Sequence, residues 1–270
     1  MRFIDLFSCI AVSMIVVGTA ASYIARLFPI DKTISTNGRL VIVYCAMFLF
    51  ARHVARAAGV SFKAISGAGL NAASILVAAI CAALLLMFSY GENFIEVYLA
   101  AQHYPDFAHE YWGFHVAPYD LHETFFGFVT IGFAQLIAAP VVEEYLFRGL
   151  FLREMTARWG AMRAVIANSL LFAAFHMQKP YFLSTLVFGI VLCVLYIRYR
   201  SIWVNALTHA IFNASAFILQ YIFNFHWMKS TTDLRELSSW IPEIMMLLIS
   251  TPALFFMIKN NFRQLNCGRA

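Results

Sequence analysis

The sequence predicts an all-α fold, a polytopic transmembrane helix bundle of about eight spans, from its composition and from the length of its apolar runs. Of the 270 residues, 62% are hydrophobic and 12% are charged, whereas an ordinary soluble domain carries roughly 25% charged residues. A soluble chain of this length could not bury so much apolar surface. Several apolar runs approach the ~20 residues that cross a hydrocarbon core of about 30 Å. The composition therefore excludes a disordered chain, an ordinary cytosolic enzyme and a nucleic-acid-binding module.

Eight apolar segments divide the chain into three regions. Residues 1–123 hold three spans and an acidic, histidine-containing loop, residues 124–225 form a core of four spans, and residues 226–270 hold a loop, the last span and a tail. The second span is the weakest because arginines flank a short apolar run. The fourth is longer than a bilayer requires and contains Pro140, so we expect it to tilt or kink. The predicted spans are residues 6–27, 38–52, 67–90, 124–152, 162–178, 181–198, 202–225 and 241–259.

Positive charges indicate the orientation of the bundle. If both termini are cytoplasmic, the inner segments carry 12 Lys and Arg residues and the outer segments carry 6, as the positive-inside rule favours. The first span is as long as a full crossing, so we interpret it as a retained helix rather than a signal peptide.

Four of the 5 cysteines lie in apolar runs and no C-x-x-C occurs, which indicates neither a disulfide framework nor a zinc ribbon. The short loops favour an integral protein of a bacterial inner membrane.

The segment 91–123 is the largest predicted loop. It contains 6 acidic residues and 4 histidines but no Lys or Arg, so the positive-inside rule assigns it to the outer side. A metal site or a substrate-entry surface is one interpretation. A solvated loop or an interfacial helix is favoured instead, because no spacing here is diagnostic of metal ligands.

Three charged side chains interrupt the fourth span, in the run that starts at Pro140 and ends at Gly149. Each charge inside a span costs about 2.5–3.5 kcal/mol on insertion scales, so a sequence avoids such charges unless they have a role. Glu144 and Arg148 are four residues apart on one helix face and can form an ion pair. Glu143 points about 100° away and keeps a carboxylate that can accept a proton.

Two later spans carry polar side chains at helical spacing. Phe172 and His176 are four residues apart in one span, as are His209 and Asn213 in another. A single intramembrane histidine more often bonds a neighbouring helix than takes part in catalysis, so the combination matters more than either residue. His209 is predicted ~10 Å and His176 ~21 Å from the inner ends of their spans. These two depths match only if the span that contains His176 is tilted or starts deep. If the bundle turns all the polar groups of its last five spans inward, they form one site.

The polar residues form the motifs E-E-x-x-x-R, F-x-x-x-H and H-x-x-x-N, in that order, each on an apolar helix. This pattern resembles the CPBP family of intramembrane proteases, which includes the type II CAAX prenyl proteases and the bacterial Abi proteins. The resemblance covers roughly residues 124–220. It implies a glutamate-dependent endopeptidase that cleaves a membrane-associated, prenylated or signal-bearing protein. The implied partners are a peptide or protein substrate and the lipid bilayer, with no nucleic acid.

The resemblance also implies catalytic roles for four residues. Glu143 would act as the general base on water, and His176 would position and polarise that water. His209 and Asn213 would stabilise the oxyanion of the tetrahedral intermediate, where one donor is worth ~2.7–4 kcal/mol. No activated serine, no H-E-x-x-H helix and no pair of intramembrane aspartates occurs in the sequence, so water activated by glutamate is the remaining hydrolytic option.

Glu144, Arg148 and Phe172 would support these residues, the first two as an ion pair that fixes the helix. No cofactor is expected. Two carboxylates, two histidines and an asparagine could nevertheless hold Zn²⁺. This metal site is the less favoured alternative, because adjacent glutamates diverge by about 100° around a helix.

Three other interpretations of the intramembrane polar groups stay open at this point. Intramembrane Glu, Arg and His also mark proton pathways in transporters, although no inverted repeat is evident. A binder of hydrophobic partners without catalytic activity would use the same cavity. A purely structural network is disfavoured, because interhelical polar contacts average only ~0.6 kcal/mol.

Overall fold

The computed structural model describes residues 5, 8, 11–20, 23, 32–109, 125–176, 182–221 and 233–267. These ranges are helical, and the only bridge of β type recorded in them is an isolated contact between Gly67 and Ser201. Two short 3-10 turns, Asp233–Arg235 and Leu237–Trp240, precede the last helix. We number the helices α1 Lys32–Ala57, α2 Phe62–Ser66, α3 Ala72–His103, α4 125–159, α5 Ala161–Phe175, α6 Phe182–Tyr199, α7 Ile202–Tyr221 and α8 Ile241–Cys267.

Five of the described helices are long and apolar enough to cross a membrane. Their many apolar side chains on the outer surface, such as Leu76, Leu248 and Phe255, are what a lipid solvent requires. The predicted all-α polytopic bundle is therefore confirmed, while the number of crossings stays a prediction. The five candidate spans are Gly38–Ala57, Ala72–His103, Val129–Trp159, Phe182–Tyr199 and Leu237–Phe262, and α5 is a shorter apolar helix.

The start and end of α3 differ from the prediction. A capping box sets the start, since Asn71 and Ser74 each accept a bond from the other's backbone N–H, both at 2.9 Å, and such caps terminate helices efficiently. The helix then continues to His103, so residues 91–103 are not the loop that the sequence predicted. Glu92 and Asn93 are buried in this extension. The prediction was wrong here because polar residues of this kind are typical of solvated loops. The rest of the predicted loop beyond residue 109 lies outside the described residues.

Each of the other predicted spans from the second onward overlaps one helix, with ends that differ by up to 8 residues. The weak second span is a full helix, α1, and the last five predicted spans correspond to α4–α8. Of the first predicted span, 6–27, residues 11–20 are described and helical, with a π-helical turn at Ser13–Val17. The rest of that span falls almost entirely outside the described residues.

Helix α4 is irregular on both sides of Pro140. Its segments are Phe125–Phe133, a π-helical turn Ala134–Ala138, an α-helical turn Ala139–Glu143, a π-helical stretch Glu144–Leu152 and a final α-helical segment Arg153–Trp159. Proline removes one backbone hydrogen bond and clashes with the preceding turn, and π-bulges occur frequently at functional sites. The two adjacent glutamates lie where the α-helical turn changes to the π-helical stretch.

The same part of α4 lies at the centre of the bundle. Residues 142–152 are all buried, because α1, α2, α5, α6 and α7 all pack against this stretch. A helix that is enclosed on every side should be apolar throughout. The charges of Glu143, Glu144 and Arg148 are therefore placed where each of them needs partners from neighbouring helices.

Helices α5 and α6 approach each other closely at a glycine. A Cβ atom on Gly189 would lie 3.1 Å from both the Cα and the Cβ of Ser169, which is tighter than ordinary van der Waals contact. The glycine lets the two backbones come together in the way typical of small residues in membrane helices. This contact fixes the side chains of α5 and α6 that face α4.

Candidate active site

The two adjacent glutamates of α4 have separate sets of partners. Glu143 faces α1 and α5, where Tyr44 and His176 approach its two oxygens. Glu144 faces α7, and is completely buried. The predicted divergence of the two side chains around the helix is therefore present in the structure.

The carboxylate of Glu143 has one engaged and one open oxygen. The Tyr44 hydroxyl donates to Oε1 at 2.7 Å. Oε2 lies 3.7 Å from Nε2 of His176, too far for a direct hydrogen bond, and is a buried oxygen with no hydrogen-bond partner among the described residues. A buried polar atom without a partner carries a desolvation cost, so Oε2 is a position that favours a donor from another molecule.

Hydrogen bonding also defines the orientation of His176. This residue caps the C-terminus of α5, and its Nδ1 lies 2.8 Å from the backbone oxygen of Phe172. A carbonyl oxygen only accepts, so Nδ1 must carry the hydrogen, and in the neutral ring Nε2 is then an acceptor. Two acceptors, Nε2 and Oε2 of Glu143, therefore face one small gap.

Glu144 is the centre of an ionic network in which both of its oxygens accept hydrogen bonds. Nη1 of Arg148 and Nδ1 of His209 each lie 3.1 Å from Oε1, and the Asn205 amide donates to Oε2 at 3.2 Å. Arg148 is also fully buried and donates to the backbone oxygen of Gly189 at 3.4 Å. Buried charges persist in a fold when they are paired and hydrogen-bonded in this manner. The predicted ion pair of Glu144 and Arg148 is present in the structure.

Aromatic rings link the two glutamate networks. The Phe172 ring lies 4.3 Å from the guanidinium carbon of Arg148, a cation–π contact, and 4.4 Å from the ring of His176. The Phe188 ring packs at 4.9 Å against His209 and at 5.9 Å against Phe172. These rings exclude water from the ionic network and strengthen its electrostatic interactions.

Asn213 lies one turn beyond His209 on α7, at the edge of this arrangement. Its amide donates to the backbone oxygen of Gln135 at 2.8 Å. Gln135 belongs to the first π-helical turn of α4, eight residues before Glu143. One of the two amide hydrogens of Asn213 is used in this bond, and the second is the donor that a substrate could meet.

The side chains that could bind a metal ion lie in two separate histidine–glutamate pairs. Within the described ranges, no three His, Cys, Asp or Glu side chains are grouped so that they could hold a metal ion. His176 faces Glu143, while His209 is bonded to Glu144.

Two residues that the sequence analysis did not identify complete the site. Tyr44 lies on α1, far from the motifs in the sequence, and no pattern in its own span marked it. Asn205 precedes His209 by four residues, and this spacing of polar side chains on an apolar helix was a signal that could have been used. Its amide bonds both Glu144 and the backbone oxygen of Leu192, the latter at 2.6 Å.

Comparison with known proteins gives one family match. Residues 125–215 match the model of the family described as Type II CAAX prenyl endopeptidase Rce1-like. The matched segment is about a third of the chain, runs from the start of α4 into α7 and contains all three motifs. This segment is similar to that family, in agreement with the resemblance to the CPBP proteases. No curated protein and no solved structure matches it.

The family match indicates the general kind of activity. It supports a hydrolase of the protease class that acts on a protein substrate at the membrane. The helices long enough to cross a membrane are consistent with that assignment.

Proposed function

We propose that this protein is an intramembrane endopeptidase in which Glu143 activates water for hydrolysis of a peptide bond. The observation that carries the proposal is the open gap between Oε2 of Glu143 and Nε2 of His176, which are 3.7 Å apart. Both atoms are acceptors, and Oε2 has no hydrogen bond to any described residue. A water molecule has two O–H donors and would satisfy both atoms while its oxygen stays free to attack.

In the proposed reaction, the water oxygen forms a bond to the carbonyl carbon of the substrate while one water proton moves to Oε2 of Glu143. The electrons of the C=O bond move onto oxygen and create an oxyanion. Collapse of this intermediate breaks the C–N bond, and the proton on Glu143 passes to the departing nitrogen. General acid–base catalysis of this kind contributes roughly 10²–10⁴-fold to the rate.

His209 and Asn213 are proposed to bind the oxyanion. Since Nδ1 of His209 is bonded to Glu144, Nε2 is the ring nitrogen available to substrate, and it donates when it also carries a hydrogen. Asn213 would contribute the amide hydrogen that is not bonded to Gln135. Preorganised donors of this type are usually the largest single source of transition-state stabilisation.

Glu144, Arg148 and Phe172 are proposed to support the reacting groups without contacting the substrate. We also propose that no metal is required, because the two histidines lie beside different glutamates and no three His, Cys, Asp or Glu side chains of the described residues are grouped to hold a metal ion. The proposed substrate is a membrane-associated peptide, prenylated or signal-bearing, in a bacterial inner membrane with both termini of the enzyme in the cytoplasm.

The test of this function is the substitution Glu143→Gln, which keeps the shape of the side chain and removes the base. We expect cleavage to fall by about 10²-fold or more while the protein still inserts and stays folded. Comparative proteomics of protein termini in cells with the wild type and with Glu143→Gln would identify the substrate. Cleavage of a peptide from that substrate then gives kcat and KM for both purified proteins.

Glu154→Gln is a matched control, because Glu154 also lies on α4 but pairs with the exposed Arg158. Its activity should equal that of the wild type. Full cleavage by a well-folded Glu143→Gln protein would refute the proposed base. The same assay after extraction of metals with a chelator should give unchanged rates, and a loss that added Zn²⁺ restores would support the alternative metal mechanism instead.

A further inference from the structure

Glu143 receives a hydrogen bond from outside the segment that the family match covers. Tyr44 lies on α1, whereas the match spans residues 125–215, so the family assignment says nothing about this residue. Its hydroxyl is 2.7 Å from Oε1 of Glu143, the typical length of an O–H···O bond with a charged acceptor.

Aromatic packing holds Tyr44 in place. Helix α1 runs along α4, and Phe48, one turn after Tyr44, lies with its ring 5.1 Å from the ring of Tyr145. Tyr145 is buried and also stacks on Phe62 of α2 at 5.8 Å. These rings fix the position of α1 relative to the part of α4 that contains Glu143 and Tyr145. The hydroxyl of Tyr44 is therefore presented by a rigid element, as an orienting group must be.

The bond of Tyr44 distinguishes the two oxygens of the carboxylate. The terminal torsion of a glutamate side chain is broad, so an unrestrained carboxylate can turn either oxygen toward the histidine. With Oε1 held by Tyr44, Oε2 is the oxygen that faces His176. The neighbouring charges do not provide this restraint, because Arg148 and His209 are bonded to Glu144.

We infer that Tyr44 is a positioning residue for the proposed base and commits Oε2 of Glu143 to take the water proton. The inference rests on the proposed function, since it assigns Tyr44 a role only if Glu143 is the base. Tyr44 acts through Glu143 and does not contact the reacting atoms. A donor on Oε1 also stabilises the charged carboxylate that the reaction needs.

The substitution Tyr44→Phe tests this inference, because it removes one hydroxyl and keeps the ring. We expect kcat to fall about 10-fold or more, as for the loss of a hydrogen bond to a charged group, with little change in KM. The measurement is kcat and KM on the peptide identified through Glu143→Gln.

Tyr196→Phe is the matched control. The Tyr196 hydroxyl also makes a buried bond between helices, to the backbone oxygen of Ile65 at 3.1 Å, but it does not touch Glu143. Its removal should leave kcat and KM of the folded protein unchanged even if the protein becomes less stable. A Tyr44→Phe protein with the kcat of the wild type would overturn the inference while the proposed function stands. Activity retained by Glu143→Gln would instead refute the proposed function itself.

Infrared spectroscopy provides a readout that does not depend on turnover. The carboxylate band of Glu143 is obtained by subtracting spectra of Glu143→Gln from spectra of the wild type. Loss of the Tyr44 bond should shift that band in Tyr44→Phe, whereas Tyr196→Phe should leave it unchanged. An identical band in Tyr44→Phe would show that the hydroxyl does not restrain the carboxylate.

Discussion

Glu143 and Glu144 are neighbours in the sequence but have opposite surroundings. Glu144 is bonded to a guanidinium, an imidazole and an amide, so a proton on either of its oxygens would displace a donor that is already bound there. Glu143 has a single described donor and one buried oxygen without a partner. The difference assigns a structural role to one acid and leaves the other as the proposed base.

Replacing Arg148 with methionine should destabilise the protein strongly, because the substitution leaves Glu144 charged and buried without its main counter-ion. A broken buried pair costs about 3–5 kcal/mol. The measurement is the free energy of unfolding in detergent. The double substitution Glu144→Gln with Arg148→Met should recover part of the loss, because it no longer leaves a charge alone.

Arg158→Met is the control for this experiment. Arg158 and Glu154 have the same four-residue spacing and a contact of 2.7 Å, but the Arg158 side chain is 52% exposed. Such pairs contribute about 0.3–0.5 kcal/mol. Equal losses from Arg148→Met and Arg158→Met would contradict a structural role for the buried pair.

At the level of elements, the irregular helix α4 and the close pair α5–α6 bring the motifs together. The π-helical stretch Glu144–Leu152 begins at the second glutamate, and Gly189 allows α6 to approach α5. Both histidines lie near one ring of α5, since the Phe172 ring is 4.4 Å from the ring of His176 and 6.4 Å from the ring of His209.

The substitution Gly189→Ala should separate α5 from α6. Its Cβ would lie 3.1 Å from the backbone Cα of Ser169, and overpacking of this kind typically costs 1–3 kcal/mol, here about 2 kcal/mol. We expect a lower melting temperature in detergent and lower activity, because Gly189 also accepts a bond from Arg148. Gly38→Ala is the control, since nothing lies within 4 Å of its added Cβ and alanine is the better helix former. Equal melting temperatures for the two variants would contradict the close contact.

At the scale of the whole molecule, the bundle encloses its charges and presents apolar side chains outward. The centre of α4 is surrounded by five helices, whereas α3 and α8 expose rows of large apolar residues. The outer surface is therefore suited to contact with lipid. The ionisable groups of α4 are stable only inside the bundle, because a charge in contact with lipid is energetically costly.

The orientation of this bundle is predicted from its charges. A fluorescent protein fused to the C-terminus should fold and fluoresce, because positive residues favour a cytoplasmic tail. Alkaline phosphatase fused after His109 should be active, because the acidic segment that follows is predicted to lie outside. The reverse pattern of activities would invert the topology and assign the acidic segment to the cytoplasm.

The candidate site could be predicted from the sequence to the extent that its partners lie within one helix. The pair Glu144–Arg148 and the contact of Phe172 with His176 follow from four-residue spacing. Tyr44 could not be predicted, because its partner Glu143 belongs to another helix and spacing along one helix does not report such a contact. The four-residue spacing of Asn205 and His209 marked Asn205 as polar on the same face, but not its bond to Glu144. Glu92 was predicted to be in a loop, but Ser184 of α6 donates a hydrogen bond to it within the bundle.

By itself, the sequence determined the solvent of this protein, its helical class and the motifs that lie in the segment with the family match, because these depend on composition and on spacing within single helices. The tertiary structure alone decided that Tyr44 bonds one oxygen of Glu143, that the other oxygen has no bond to a described residue, and that His176 and His209 lie beside different glutamates. Those properties depend on the distances between helices, which the absence of a side chain at Gly189 and the packing of the Phe48 ring set.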